Sequence, residues 1–439
     1  MNKKIIFLLV AILVFPLLIV NVSGLNQDNN IPLSAQSGTS FVLSTPLDIS
    51  STSVGRDYGA AIALDSINDI HVVWYDVSNY IVYYANSKNS FSLNVIASGA
   101  LEYSNPKIFI DSNDVVHILY LIVIGVHRSI WYVNNSGGLF VNHVNISQIN
   151  GLVALYSNYD AVMDDADIIH IITNDQLFDG SHAEVYYCSL KNGNPSSKIA
   201  ISSEDGEGDN VPRIAIQNNL LFVTWAWYTG IGGGEIMLSY KLDGLPWSEP
   251  YNLTQSPGFS LLEQFPDVTL DSNGNFHIFC INSTSPAHLN YYTNVNGTIK
   301  AQEFGFTWQS SPWQRISVET DSNDKIHGFW YDNLYTDEEV YYITNINGTF
   351  QYYNITNNAD FIFDSYPNFV IDTNDNIHFV YTSNKSGNDD IYYQKMVYNP
   401  STTTTTSEIP GYELIFISLA LIGVLILFNL KTLLKRKKI

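Results

Sequence analysis

The sequence predicts an all-β fold, a seven-bladed β-propeller of four-stranded blades. Three observations carry it: a repeat of about fifty residues, four strand-like runs within each repeat, and a seventh unit that lacks its last strand while an orphan strand precedes the first.

The repeat is anchored by an Asp six residues before a His, at Asp65/His71, Asp111/His117, Asp164/His170, Asp271/His277, Asp321/His327 and Asp372/His378. A degenerate copy, Gln217-Asn-Asn-Leu-Leu-Phe-Val-Thr-Trp225, fits between the third and the next, with intervals of 46, 53, 53, 54, 50 and 51 residues. In each unit an apolar run leads into Asp-Ser/Thr-Asn-Asp/Gly, whose short side chains bond nearby backbone and favour a tight turn. A second run follows, as in His71-Val-Val-Trp-Tyr75, and then a third with paired aromatics such as Tyr83-Tyr84 and Tyr341-Tyr342. The fourth run follows a hairpin signal at Asp243-Gly244, Asn296-Gly297 and Asn347-Gly348. An open solenoid is the competing architecture, but its repeats are shorter, roughly twenty to thirty residues. Blades packed face to face bury both sides of a strand, so Val72-Val73-Trp74-Tyr75 need not alternate. The last unit stops near Tyr398, and Phe41 to Ile49 is the stretch expected to supply its missing outer strand, leaving no open sheet edge.

The flanks predict an address outside the cell. Residues 1–24 have Lys3-Lys4, an apolar run from Ile5 to Val20 and small residues at Ser23 and Gly24, as a secretory signal does. A linker covers 25–40, the propeller 41–400, and a Thr-rich stalk 401–410. A transmembrane helix is expected over 411–431, with a basic tail over 432–439 on the cytoplasmic side. Of 42 acidic residues 41 lie within 25–410, against 13 of the 20 basic ones. That balance excludes nucleic acid as a partner and favours solubility or cation binding. Eight Asn-x-Ser/Thr sequons follow the signal, at Asn134, Asn145, Asn252, Asn282, Asn296, Asn347, Asn354 and Asn384. Cys188 and Cys280 fall on non-adjacent blades and are expected to be buried thiols without a disulfide.

Two motifs invite a metal. Six histidines could be ligands, but sheets packed roughly 10 Å apart hold equivalent rings away from each other. Each ring is instead expected to bridge a turn carboxylate or a backbone carbonyl of the adjoining blade. The turn oxygens of Asp111, Asn113 and Asp114, or of Asp321, Asn323 and Asp324, could bind calcium, yet they lack the long donor series of a dedicated calcium loop. No other cofactor is expected.

Asp-Ser-Asn-Asp/Gly-x-Ile-His-x-x-Trp-Tyr-Asp followed by an Ile-Tyr-Tyr strand resembles the repeats of sialidase-like (BNR, Asp-box) propellers over residues 41–398. Ser239, Asp243, Gly244 and Trp247 resemble a degenerate Asp-box, which the resemblance implies is a fold-stabilising turn. Sialidases of that family use three arginines, a Tyr nucleophile paired with Glu, and an acidic Asp. The ectodomain holds only Arg56, Arg128, Arg213 and Arg315, and Val211-Pro-Arg-Ile-Ala215 departs from the family's Arg-Ile-Pro signature, so the resemblance implies fold without activity. The Thr-rich stalk, Pro410-Gly411, apolar segment and basic tail resemble the C-terminal sorting signals of archaeal surface proteins, which implies exchange of the helix for a lipid anchor.

Function is expected on the rim opposite the Asp turns, where loops vary. The candidate ligand-binding residues are Trp227, Tyr228 and Glu235 in the fourth unit, His182 and Glu184 in the third, and Trp313 and Arg315 before the sixth. Asp205, Glu207, Asp209, Asp337, Glu338 and Glu339 add carboxylates. Aromatics beside carboxylates suit recognition of an extracellular glycan or protein without catalysis; the alternative is a surface glycoside hydrolase or lyase using rim carboxylates.

Overall fold

The computed structural model describes residues 39–51, 55–98, 105–124, 127–150, 153–154, 158–176, 183–203, 207–228, 234–255, 263–282, 287–308, 316–332, 338–357 and 362–400. The secretory segment, most of the linker, the stalk, the apolar helix and the basic tail lie outside them. Among the described residues no helix is long and apolar enough to cross a membrane. The described residues from 42 to 397 belong to one compact unit; residues 39–41 and 398–400 belong to a second, in which the rings of Phe41 and Tyr398 stand 5.6 Å apart.

The first unit is a seven-bladed propeller. Blade 1 runs Asp57–Leu64, Ile70–Asp76, Ile81–Asn86 and Asn94–Ser98, each strand antiparallel to the one before. Blade 4 keeps the plan with Gly208–Gln217, Leu220–Tyr228, Gly234–Leu242 and Tyr251–Asn252 despite its degenerate turn. The first strands of successive blades touch in order, and that of blade 7, Asp364–Ile371, returns to that of blade 1. The second strands Ile70–Asp76, Phe276–Asn282, Ile326–Asp332 and Ile377–Ser383 are buried along their whole length, because a neighbouring blade covers each face. The expected closure is present: Leu47 and Asp48 pair with Tyr393 and Tyr392, and the Ile49 amide donates to the Ile391 carbonyl at 2.9 Å. Cys188 and Cys280 are buried and neither forms a disulfide.

The turn chemistry explains the repeat. In Asp321-Ser-Asn-Asp-Lys, Oδ1 of Asp321 accepts from the amides of Asn323 and Lys325, both at 2.8 Å. The fourth position takes a left-handed backbone, with φ of 64° at Asn68, 59° at Asp114, 78° at Gly274 and 58° at Asp324, which is why Asn, Asp or Gly stands there. Neighbouring turns are also tied together. The amide and hydroxyl of Ser322 both donate to Asp375 of the next blade, at 3.0 and 2.8 Å, and Ser66–Asp114, Ser112–Asp167 and Ser272–Asp324 repeat the tie. The turn carboxylates proposed for calcium are thus engaged by N–H and O–H donors, and among the described residues no cluster of His, Cys, Asp or Glu is placed to hold a metal ion.

The six repeat histidines reach their turn carboxylates, but their second partner corrects the expectation of a neighbouring carbonyl. Nε2 of His117, His170, His327 and His378 lies 3.1 to 3.3 Å from the Asp six residues earlier, and that of His71 and His277 lies 3.6 and 3.7 Å away. Nδ1 meets a third-strand tyrosine of the same blade, Tyr84, Tyr132, Tyr187, Tyr291, Tyr342 or Tyr393, at 2.5 to 2.8 Å. The reason is cross-strand register: His71 and Tyr84 are diagonal neighbours on one face, with Val73 directly opposite Tyr84. Burial pushes the pKa of all six tyrosines up, so they stay protonated and donate to Nδ1. Burial also holds His71, His170, His277 and His378 down, which leaves neutral rings whose Nε2–H faces the carboxylate.

Candidate functional site

At the other end of the blades the innermost strands are bulged. Six residues before the turn anchor the backbone is left-handed at Gly59 (φ 60°), Asn105 (41°), Val211 (52°), Phe265 (52°) and Tyr366 (52°), and the strand register slips at Gly59, Val211, Phe265 and Tyr366. A β-branched or aromatic residue in that region costs on the order of 1–3 kcal/mol, and bulges of this kind re-aim side chains near sites. Pro106, Pro212, Pro266 and Pro367 follow four of these residues and are the sequence signal that marks them.

Two residues further up, at the start of the first strand, stands a buried acid in four blades: Asp57, Asp209 (second in its strand), Glu263 and Asp364. Three of them face an acid that opens the third strand of the preceding blade, with a hydroxyl between. Ser202 donates to Glu184 at 2.7 Å, and Asp209 hydrogen-bonds both while accepting from the Trp225 indole at 2.7 Å. Burial, with the charge of Glu184, pushes Asp209 up to about 8, so at neutral pH it is the protonated partner of the pair. Thr254 donates to Glu235 and also reaches Glu263, which burial raises and which accepts from Tyr292 at 2.7 Å and Asn290 at 2.9 Å. Thr356 donates to Glu339, beside Asp364, which burial and Glu339 push up to about 6. Each set is a seam between blades: 3 to 4, 4 to 5, and 6 to 7.

Deeper in the channel a charge ladder runs four residues before the turn anchor. Lys107 contacts Asp160 at 2.6 Å and Arg213 contacts Asp267 at 3.5 Å, while Asp160 and Asp267 each also accept a backbone amide from the next blade. Arg213, one of four arginines within residues 41–400, is therefore committed to a seam.

The structure gathers four of the predicted binding residues, and does so in these seams. Trp227 stands in register with Asp209 on one side and Glu235 on the other. The Tyr228 hydroxyl donates to Gln264 of blade 5 at 3.1 Å. Glu184 is buried, and Trp227, Tyr228 and Glu235 are half-buried. His182, Trp313 and Arg315 lie outside the described residues.

An open cluster at the same end joins blades 6, 7 and 1. Arg56 Nε donates to Asp389 Oδ2 at 2.6 Å and a second guanidinium nitrogen donates to the Tyr58 hydroxyl, which itself donates to Asp389 Oδ2 at 2.5 Å. The Tyr366 ring is 47% exposed, stands edge-on to Tyr58 at 5.7 Å and packs against Tyr331 at 5.1 Å. Half-buried Glu338 adjoins it; burial, with the charge of Asp389, raises its pKa against a Ser365 hydrogen bond that lowers it. Tyr58 is pushed well up, chiefly by burial, so it acts as a hydrogen-bond donor and not as a base. An exposed ring, an exposed guanidinium and two carboxyl groups in different environments can stack on a sugar face, fix hydroxyls and supply a proton.

No family model matches the chain, and no curated protein sequence matches it. Among solved structures it is similar to a polysaccharide lyase of family PL25, an ulvan lyase bound to -[GlcA(1-4)Rha3S]-. That likeness has 10% identity, 77% of this chain and 93% of that one covered, and a TM-score of 0.55. Polysaccharide lyase Uly1 gives 8% identity, coverage of 77% and 90%, and a TM-score of 0.53. At such identities the likeness establishes the propeller fold. The fold is also the part of the sialidase-like resemblance that stands, with Trp247 of the Asp-box-like turn packed edge-on against Tyr187 of blade 3 at 5.1 Å.

Proposed function

We propose that the protein is a glycan-processing propeller held at the outer surface of a membrane, and that the Arg56–Tyr58–Tyr366 corner binds the sugar chain. The observation that carries this reading is the exposed Tyr366 ring braced by Tyr58 and Tyr331 next to two carboxyl groups, Glu338 and Asp389. The sugar's apolar face lies on Tyr366 and Arg56 holds its hydroxyls; Glu338, its carboxyl favoured by burial, protonates the departing glycosidic oxygen while water adds to the anomeric carbon and gives its proton to Asp389. Polysaccharide lyases as fold neighbours favour processing over passive binding. The second reading is recognition without turnover. It is favoured by the Glu184–Asp209 pair, whose carboxyls bond each other more closely than the ~5 Å or more that acid and nucleophile need. The N-terminal apolar segment and the C-terminal apolar segment with its basic tail support the surface position.

The test is a panel of neutral and uronate-containing polysaccharides given to the purified chain, read by new reducing ends and by the absorbance of unsaturated uronates. Turnover that falls at least ~100-fold in Glu338→Gln, with Tyr366→Ala weakening binding about tenfold, supports the proposal. Binding without product on every polysaccharide leaves the recognition reading, and turnover indifferent to both substitutions removes this corner as the site.

A further inference from the structure

Eight sequons cannot be told apart by sequence, and the structure separates them. Asn296 and Asn347 sit at the tips of the hairpins joining third and fourth strands in blades 5 and 6. In each, Gly closes the turn, with the Gly297 amide donating to Asn294 at 2.9 Å and the Gly348 amide to Asn345 at 2.7 Å. Both asparagines are exposed, and Asn347 donates to Gln351 at 3.2 Å on the surface. Asn282 is the opposite case. It is 6% exposed at the end of a second strand, in register with Glu263 on one side and His288 on the other. The Nδ2 of Asn134 is turned inward and donates at 2.7 Å to the Tyr132 hydroxyl that holds His117.

We propose that Asn296 and Asn347 are N-glycosylated and that Asn282 and Asn134 are bare in the folded protein. The inference goes beyond the glycan-processing reading and rests only on the extracytoplasmic position proposed with it. The transfer needs a glycan carried on a lipid phosphate. Nδ2 attacks its anomeric carbon, the bond from that carbon to the phosphate oxygen breaks, the phosphate leaves with the electron pair, and Nδ2 gives up one proton. A tip in open solvent accommodates the product. At Asn282 the same glycan would have to displace strands that the ring needs, so a chain modified there does not complete its fold whenever the transfer occurs. Both tips lie at the Asp-turn end, on the outer edge of adjacent blades, which keeps attached glycans clear of the Tyr366 corner at the opposite end.

The test expresses the full chain behind its own N-terminal segment in a host with N-glycosylation, and maps glycopeptides of the folded, secreted or membrane-bound protein by mass spectrometry. Occupied Asn296 and Asn347 with bare Asn282 and Asn134 are expected. Asn296→Gln and Asn347→Gln should each remove one glycan increment from the intact mass, the pair should remove both, and the melting temperature should move by less than ~3 °C since neither side chain is buried. Bare tips on exported protein, a glycan on Asn282 in the folded fraction, or retention of the chain inside the cell overturns the proposal.

Discussion

The two ends of the propeller solve one problem, joining blade to blade, with opposite electrostatics. At the Asp-turn end the carboxylates are surrounded by donors: Asp372 accepts two backbone amides, the Asn376 side chain and His378, and hydrogen bonds outweigh burial to pull its pKa down, as they do at Asp111 and Asp321. At the rim end the acids face one another across a hydroxyl, burial outweighs the groups that oppose it, and one member of the Glu184–Asp209 pair keeps its proton. The first device is indifferent to which blade carries it and recurs almost unchanged. The second depends on pairs matched across a seam, so it varies from blade to blade.

The comparison breaks most visibly at the turn end. His327→Ala leaves Asp321 and Tyr342 buried without their shared partner and should cost about 3 kcal/mol in a denaturant titration. A loss below ~1 kcal/mol would show that the Asp–His–Tyr set does not fasten the blade.

Next comes pH, where the two ends pull in opposite directions. The histidines held low, His71, His170, His277 and His378, bind a proton more readily unfolded than folded. Their contribution is present above the ordinary histidine value near 6.5 and is lost as pH falls below it. Asp209, at about 8, and Asp364, at about 6, have folded values above the unfolded 3.8. Their contribution is complete below 3.8 and is lost as pH rises through the folded value. Asp209→Asn keeps a neutral donor toward Glu184 and removes that titration, so it should flatten the decline in melting temperature between pH 5 and 8 while leaving the acid limb in place. An alkaline limb unchanged by the substitution would mean the seam pairs do not govern it.

The smallest effect separates the turn ties from the triad. Ser322→Ala removes one exposed hydroxyl bond to Asp375 while the amide bond remains, for a cost of about 0.5–1 kcal/mol. A cost equal to that of His327→Ala would place the stability of this end between blades and not within them.

The fold was legible because its signal is local. Asp321 to Asp332 writes turn, left-handed corner and buried strand in twelve consecutive residues, and the same order recurs at each blade. The closing strand was legible from what the last unit lacked. The rim was not, because its partners are matched across seams: Glu184 and Asp209 could be named as rim acids, but nothing in either segment says that they share a proton. Glu338 was among the residues expected there, whereas Arg56 was only one of four arginines and Tyr58 and Tyr366 were not singled out. Tyr366-Pro, parallel to Val211-Pro and Phe265-Pro, was the readable trace of the bulge that exposes the ring. The histidines show the same limit: the spacing to Asp gave one partner, and the tyrosine needed the register.

Closure imposes an order of events on the newborn chain. Ser50 and Ile391, which meet in the final sheet, are separated by 341 residues. At typical synthesis speeds roughly 20–70 s pass between the making of the two. During that interval the earliest strand has no mate, and the growing arc presents an unpaired edge at either extremity. Blades 1 to 6 can form as they emerge, but the last turns into a complete sheet only when the segments around Ser50 and Ile391 are on the same side of any barrier the chain must cross. The proposed position outside a membrane therefore calls for threading an open chain and joining it on arrival.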